Sequence, residues 1–168
     1  MPDAVLIAGA NGAGKTTLAR RLLPAAYPDA RFLNADEIQR EEGFSSPSAA
    51  GRELISRLKT VSEAGDSFVV ETTLSSASYG RQFAAWRGRG YWVTVHYIEA
   101  VSADFAVARV ARRVAAGGHG IPELDIRRRY ARGRVLFAEL YRPQADAWYH
   151  YKVDERGLEL VESNQDAR

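Results

Sequence analysis

The chain has 168 residues, a formal net charge of +2, 46% hydrophobic and 26% charged residues, and no cysteine. That length suits one domain with a core large enough to fold without staples, and the missing cysteines exclude disulfides, thiolate zinc sites and thiol nucleophiles. No apolar run approaches the ~20 residues of a membrane span, and Met1-Pro2-Asp3 leads straight into apolar sequence with no room for a signal peptide, so a cytoplasmic protein without a membrane partner is expected.

Ala4-Val5-Leu6-Ile7-Ala8 is a short apolar run suited to a buried parallel strand. Gly9 to Thr16 then reads GANGAGKT, which fits G-x-x-x-x-G-K-[ST]. Thr16 to Leu23 follows with helical spacing, with Leu18, Leu22 and Leu23 on one side. Strand, glycine-rich loop and helix are the context this phosphate-binding motif requires. Gly9, Gly12 and Gly14 let the backbone turn tightly. The N–H groups from Gly9 through Ala10, Asn11, Ala13 and on to Thr17 can then form a nest for phosphate oxygens, helped by the helix N-terminus. Lys15 is expected on the β- and γ-phosphates of ATP or GTP, and the Thr16 hydroxyl on Mg²⁺.

Pro24 and Pro28 bracket a loop, and Arg31 to Asn34 reads as a short second strand. Asn34-Ala35-Asp36-Glu37 starts a helical or irregular stretch, and Ser45-Ser46-Pro47-Ser48 is a loop with an N-cap signal. From Ala49 to Ala64, Leu54, Ile55, Leu58 and Val61 mark an amphipathic helix. Asp66 to Glu71 is a third strand that ends in a carboxylate. Ser78 to Arg87 is a helix closed by Gly88 and Gly90, and Tyr91 to Ile98 a fourth strand. Ser102 to Ala115 is helical, Gly117 to Pro122 a loop, Ile126 to Tyr141 a last helix, and Trp148 to Val153 a fifth strand. Asp154-Glu155-Arg156-Gly157 looks like a hairpin turn. The βαβαβαβαβ order predicts an α/β fold with a mostly parallel sheet of five to six strands, covered by helices on both faces. Ligands of such sheets lie at the carboxyl ends of the strands, where the glycine loop, Asp36 and Glu71 all fall.

Phosphoryl transfer needs positioning, charge neutralisation and a group to take the acceptor's proton. Asp36, two residues past the second strand, is the candidate base; its competing role is an N-cap, which Asn34 could fill instead. Glu71 closes its strand as a Walker-B acid does, where it could hold Mg²⁺ through water or bind substrate, with the Thr72 and Thr73 hydroxyls beside it. The alternative is a solvated strand-end glutamate. His96 and His150 fit satisfied sheet positions, and the three histidines are too far apart in sequence to suggest a metal set.

With only three lysines among 23 basic residues, 20 are arginine, and eight of these lie between Arg109 and Arg134. They flank a glycine-rich loop, as in a lid over roughly residues 113–127 that closes on ATP and neutralises the transferred group. Arg113 and Arg127 flank that loop most directly. The competing reading is a solvated basic face. An arginine-dependent nucleic-acid protein, such as a polynucleotide kinase, is a further alternative, but the net charge is only +2. So is an ATP-binding module without transfer chemistry. A GTPase switch is poorly matched, since no N-K-x-D guanine reader is present.

GANGAGKTT (9–17), NADEI (34–38), FVVETTLSS (68–76) and the segment from Arg109 to Gly133 together resemble the zeta-toxin family of P-loop kinases. The resemblance spans roughly residues 4–150. It implies a single P-loop kinase domain and ATP-dependent phosphorylation of a nucleotide sugar, UDP-N-acetylglucosamine, at a sugar hydroxyl. By analogy Lys15 binds phosphates, Asp36 is the base, Glu71 helps hold the acceptor, and Arg113 with Arg127 or Arg128 supplies the lid. An antitoxin partner would follow from the same analogy. The chain departs from the longer toxins at Glu71-Thr72-Thr73-Leu74-Ser75, where they typically carry a glycine and a nearby arginine.

Overall fold

In a computed structural model that describes residues 1–165, the buried run after Pro2 becomes the central strand of the molecule. The elements are β1 (Asp3–Gly9), α1 (Lys15–Ala26), β2 (Arg31–Leu33), α2 (Ala35–Glu42), α3 (Pro47–Ala64), β3 (Phe68–Thr72), α4 (Ser78–Gly88), β4 (Trp92–Ala100), α5 (Ala103–Ala115), α6 (Glu123–Leu136), β5 (Ala147–Asp154) and β6 (Gly157–Ser163). The sheet order is β2-β3-β1-β4-β5-β6, parallel except for β6, which returns against β5 across the Asp154–Gly157 turn. This is the mostly parallel α/β sheet that the sequence predicts, and β6 extends it one strand beyond the last strand read from sequence.

One face packs Leu6, Val70, Val95 and Tyr97 against Leu54 and Leu58 of α3 and Phe83 and Trp86 of α4. The other packs Val5, Ile7, Val69 and Ile98 against Leu18 of α1 and Ala106 and Val110 of α5. Strands buried on both sides need continuous apolar sequence rather than alternation, which β1 supplies.

Helix α6 does something different. Ile126 joins the cluster containing α1 and α5, whereas Phe137, just past the α6 end, joins the opposite cluster. The helix therefore crosses the carboxyl edge of the sheet. Arg134 Nε donates to Glu99 at 2.7 Å, and His150 Nε2 lies 2.9 Å from the same carboxylate, so α6 is tied to β4 and β5. Gly133 allows the closest approach: a methyl there would lie 3.2 Å from the Thr73 carbonyl oxygen. Beyond Leu136 the coil widens into a π-helical turn, Phe137–Tyr141, rather than continuing as α-helix, and the Tyr141 hydroxyl donates to the Ser76 carbonyl. Such turns are often found at functional sites.

Two further boundaries differ from the sequence reading. Pro24 lies inside α1, not in a loop. It is exposed near the helix end, where its missing N–H removes one bond of the last turn, and the Tyr27 N–H closes the helix on the Leu23 carbonyl. Helix α3 begins at Pro47 rather than Ala49, with Ser46 as cap and proline in the first turn, where its fixed φ fits.

Candidate active site

The loop from Gly9 to Gly14 turns back from β1 into α1 at the centre of the sheet's carboxyl edge. Its glycines are locked by neighbours. A methyl on Gly9 (φ 148°) would lie 2.4 Å from the Ile98 carbonyl oxygen, and one on Gly12 (φ 81°) 2.5 Å from that of Ala106. No side chain fits either position. Lys15 is buried, and its Nζ donates to the Ala10 carbonyl at 3.1 Å. Burial pushes the Lys15 ammonium pKa below its ordinary value, with the charges of Glu71 and Asp36 opposing that shift. A buried cation kept beside two carboxylates is poised to exchange a carbonyl for phosphate oxygens.

The Thr16 hydroxyl donates to Glu71 at 2.9 Å, and the Asn34 amide donates to the same carboxylate at 2.8 Å. A hydroxyl and a carboxylate in contact are hard oxygen donors, which fit Mg²⁺ completed by phosphates and water. Among the described residues no cluster of three or more His, Asp or Glu that could hold a metal ion is found.

Asn34 also settles what holds the start of α2: its Oδ1 accepts the backbone N–H groups of Asp36 at 2.8 Å and Glu37 at 3.3 Å. Asn34 is thus the cap, and the Asp36 carboxylate is free of that duty. Asp36 lines a cavity of 230 Å³ together with Gly12, Lys15, Thr16, Glu71 and Arg113. It also lines an adjoining cavity of 380 Å³, where Thr72 and Thr73 appear. Asp36 and the phosphate loop therefore share one space. A third cavity of 660 Å³ shares Gly14, Thr17 and Arg109 with the first and runs to the β5–β6 hairpin.

The arginines divide by helix phase. In α5, Arg109 and Arg113 lie three residues after the buried Ala106 and Val110, and both face the phosphate loop cavity. In α6, Arg129 lies between the buried Ile126 and Gly133, and its Nη1 donates to Asn11 Oδ1 of the loop at 2.9 Å. Arg127 does not reach the site. Its guanidinium pairs with Asp104 at 2.6 Å and Glu123 at 2.7 Å, because residue 127 projects about 100° from the stripe defined by Ile126. Arg128 pairs with Asp125 instead. Arg109 and Arg129 were absent from the sequence-derived site, although their i+3 spacing from buried residues carried the signal. Ala111 to Gly120, the end of α5 and most of the glycine-rich loop, is exposed throughout.

His96 is buried and neutral, its ring nitrogens 3.2 Å from the Tyr27 hydroxyl and 3.1 Å from that of Tyr151. It stacks on Tyr149 at 4.7 Å and takes no part in the cavities lined by the phosphate loop. His150 pairs with Glu99.

A family model described as Zeta toxin matches residues 1–157. A protein of Haemophilus influenzae described as uncharacterized is 28% identical over 131 residues, covering 76% of this chain and 91% of that one. Among solved structures, a chain from the PezAT chromosomal toxin–antitoxin system of Streptococcus pneumoniae superposes with a TM-score of 0.68 at 18% identity. It covers all of this chain and 74% of its own. A chain of the AvrRxo1-ORF1:-ORF2 complex with ATP gives 0.71 at 18% identity, covering 97% of this chain and 58% of its own.

Proposed function

Because the chain belongs to the zeta toxin family, we propose that it is a kinase that transfers the γ-phosphate of ATP to a hydroxyl group of a small molecule. The observation that carries this reading is Asp36, placed at the junction of the phosphate cavity and its 380 Å³ neighbour. ATP would lay its base in the 660 Å³ cavity beside Arg109 and Arg112 and its phosphates along the loop amides. Lys15, Arg113 and Arg129 would then neutralise the γ-phosphate, and the Thr16 hydroxyl with Glu71 behind it would hold Mg²⁺. Bound there, Mg²⁺ would supply neutralisation of the phosphate charge.

In the transfer step the acceptor oxygen forms a bond to the γ-phosphorus as the bond to the ADP oxygen breaks. The acceptor's proton passes to the Asp36 carboxylate, and ADP leaves with the bridging oxygen. Closure of residues 113–127 over the phosphates would exclude water and bring Arg113 inward.

Label transfer from γ-labelled ATP into small molecules tests the reading directly. Asp36→Asn should lower transfer by about 10²–10⁴-fold while nucleotide affinity changes little. Transfer that persists within about tenfold, or ~1.4 kcal/mol, would show that Asp36 is not the base. Nucleotide binding with neither hydrolysis nor transfer would instead describe a binding module. A nucleic-acid acceptor is disfavoured by pairing: Arg127, Arg128 and Arg134 each already face a carboxylate. The PezAT comparison supports a second protein, an antitoxin, as a partner for this chain. Co-purification of this protein with the product of an adjoining reading frame would test that.

A further inference from the structure

Resting on the kinase reading above, we infer that the acceptor is an uncharged or amine-bearing hydroxyl compound of about one sugar ring, carrying no phosphate of its own. The argument starts from volume. The acceptor cavity holds 380 Å³, near the lower end of the roughly 300–1,000 Å³ typical of ligand pockets. Part of that space belongs to the incoming γ-phosphate, because Lys15 and Asn11 line it too. Little is left for a nucleoside diphosphate in addition to a sugar.

Charge points the same way. The fixed cations on this cavity are Lys15, Arg113 and Arg129. All three sit at its phosphate end: Lys15 within the loop, Arg129 bonded to Asn11 of the loop, and Arg113 also lining the phosphate cavity. The wall away from the loop is made by Gln39, Pro47, Leu54, Thr72 and Thr73, with no cation, and His119 is exposed. Once a γ-phosphate claims the three cations, the carboxylate of Asp36 remains, Asp125 being already paired with Arg128. A phosphate on the acceptor would lose its hydration without gaining a charged donor and would face like charge. A hydroxyl or ammonium group meets acceptors instead.

The wall is also shaped for hydroxyl recognition. Leu74 adopts φ 53°, the one non-glycine residue with positive φ among the described residues, and its side chain is 1% exposed. Strain of this kind persists where the surroundings over-determine it. Here the buried Leu74 side chain pins the turn, and Gly133 of α6 seats against the Thr73 carbonyl. The Thr72 hydroxyl accepts the Leu74 N–H at 3.1 Å, and the Thr73 hydroxyl pairs with Ser75 at 2.9 Å. The loop therefore fixes the hydroxyls of two residues that line the cavity.

The experiment uses γ-labelled ATP, Mg²⁺ and a bacterial metabolite extract split by anion exchange into a flow-through of neutral and cationic compounds and a bound fraction of phosphorylated ones. Defined pairs accompany it: N-acetylglucosamine and glucosamine against N-acetylglucosamine 1-phosphate and UDP-N-acetylglucosamine. Label should arise from the flow-through, at least tenfold above the bound fraction at matched concentration. Gln39→Arg, which supplies the missing cation, should narrow that ratio. Label arising from the bound fraction, or preferentially from the phosphorylated members of the pairs, overturns this inference and leaves the kinase standing. No label from either fraction, with ATP still bound, overturns the kinase and this inference with it.

Discussion

The phosphate loop and the arginine tract face each other across one cavity, but they are held by different forces. Around the loop, backbone meets backbone: Gly9 lies against the Ile98 carbonyl and Gly12 against that of Ala106. The loop can neither accept a side chain nor move without shifting β4 and α5, so its amides are in place before a nucleotide arrives. Across the gap, residues 111–120 are exposed, Arg113 donates to the His119 carbonyl, and Arg127 and Arg128 pair with carboxylates at the surface. Exposed pairs of this kind are worth about 0–1 kcal/mol each. One side of the cavity is built for preorganisation, and the other can rearrange at small cost.

The largest expected effect falls on the side that can move. Replacing both Arg113 and Arg129 with alanine should lower the transfer rate by about 10³–10⁵-fold, the range for cations that act on a transferring phosphoryl group. ATP affinity should change far less, since the loop amides remain. Single-turnover kinetics with saturating ATP separates the two. A loss confined to ATP binding would make these arginines part of the fixed nucleotide site and erase the contrast.

Lys15→Met probes the rigid side. The buried ammonium is aimed by its bond to the Ala10 carbonyl, so its removal leaves the loop shape intact and deletes one charge. We expect a loss of about 10²–10³-fold in kcat/KM, seen as both weaker ATP binding and slower transfer. An effect on transfer alone would move Lys15 from the ground-state site to the transition state.

Much of this contrast was legible in the sequence. GANGAGKT encodes its own geometry, because the glycines, the lysine and the following helix are contiguous and the loop's shape is fixed by backbone. Asp36 and Glu71 were readable for a related reason: strand ends in a parallel sheet converge. The arginines were harder, because proximity to the glycine-rich loop favoured Arg127 while helix phase decides. Arg129 shares a stripe with Ile126 and Gly133, and Arg127 does not. That α6 crosses the sheet edge, with Ile126 and Phe137 in opposite clusters, depends on tertiary packing that no local pattern shows. Pro24 was misread because an exposed last turn tolerates what a helix interior does not.

The rigid side has its own weak point at low pH. Helix α1 starts in the phosphate loop, and Tyr27 just past its end reaches back to His96. Burial lowers the His96 pKa from 6.5 to about 4. Below pH 6.5 the unfolded chain binds a proton that the folded chain refuses, so stability falls as pH drops from about 6.5 to 4 and levels off below that. The loss from this group is about 3 kcal/mol. Urea unfolding at pH 7 and pH 4 measures it, with His96→Gln as the reference whose acid dependence should be shallower by that amount. Equal slopes would mean that acid acts elsewhere.

The smallest effect is the sharpest test of the helix-phase argument. Arg127 flanks the glycine-rich loop as closely in sequence as Arg113 does, yet it pairs with Asp104 and Glu123 on the outer side of α5 and α6. Those pairs are partly exposed, so Arg127→Ala should cost at most about 1 kcal/mol of stability and leave kcat/KM within about threefold of the wild type. High salt should change the wild type more than the variant, because the screened interaction is already absent in the latter. A fall of tenfold or more in kcat/KM would require Arg127 to leave both carboxylates and turn inward when nucleotide binds. Because α6 is one rigid helix, that rotation would carry Arg129 away from Asn11 and pull Gly133 off the Thr73 carbonyl. Losing activity at position 127 and keeping it at position 129 would therefore identify a rotated α6 as the catalytic state.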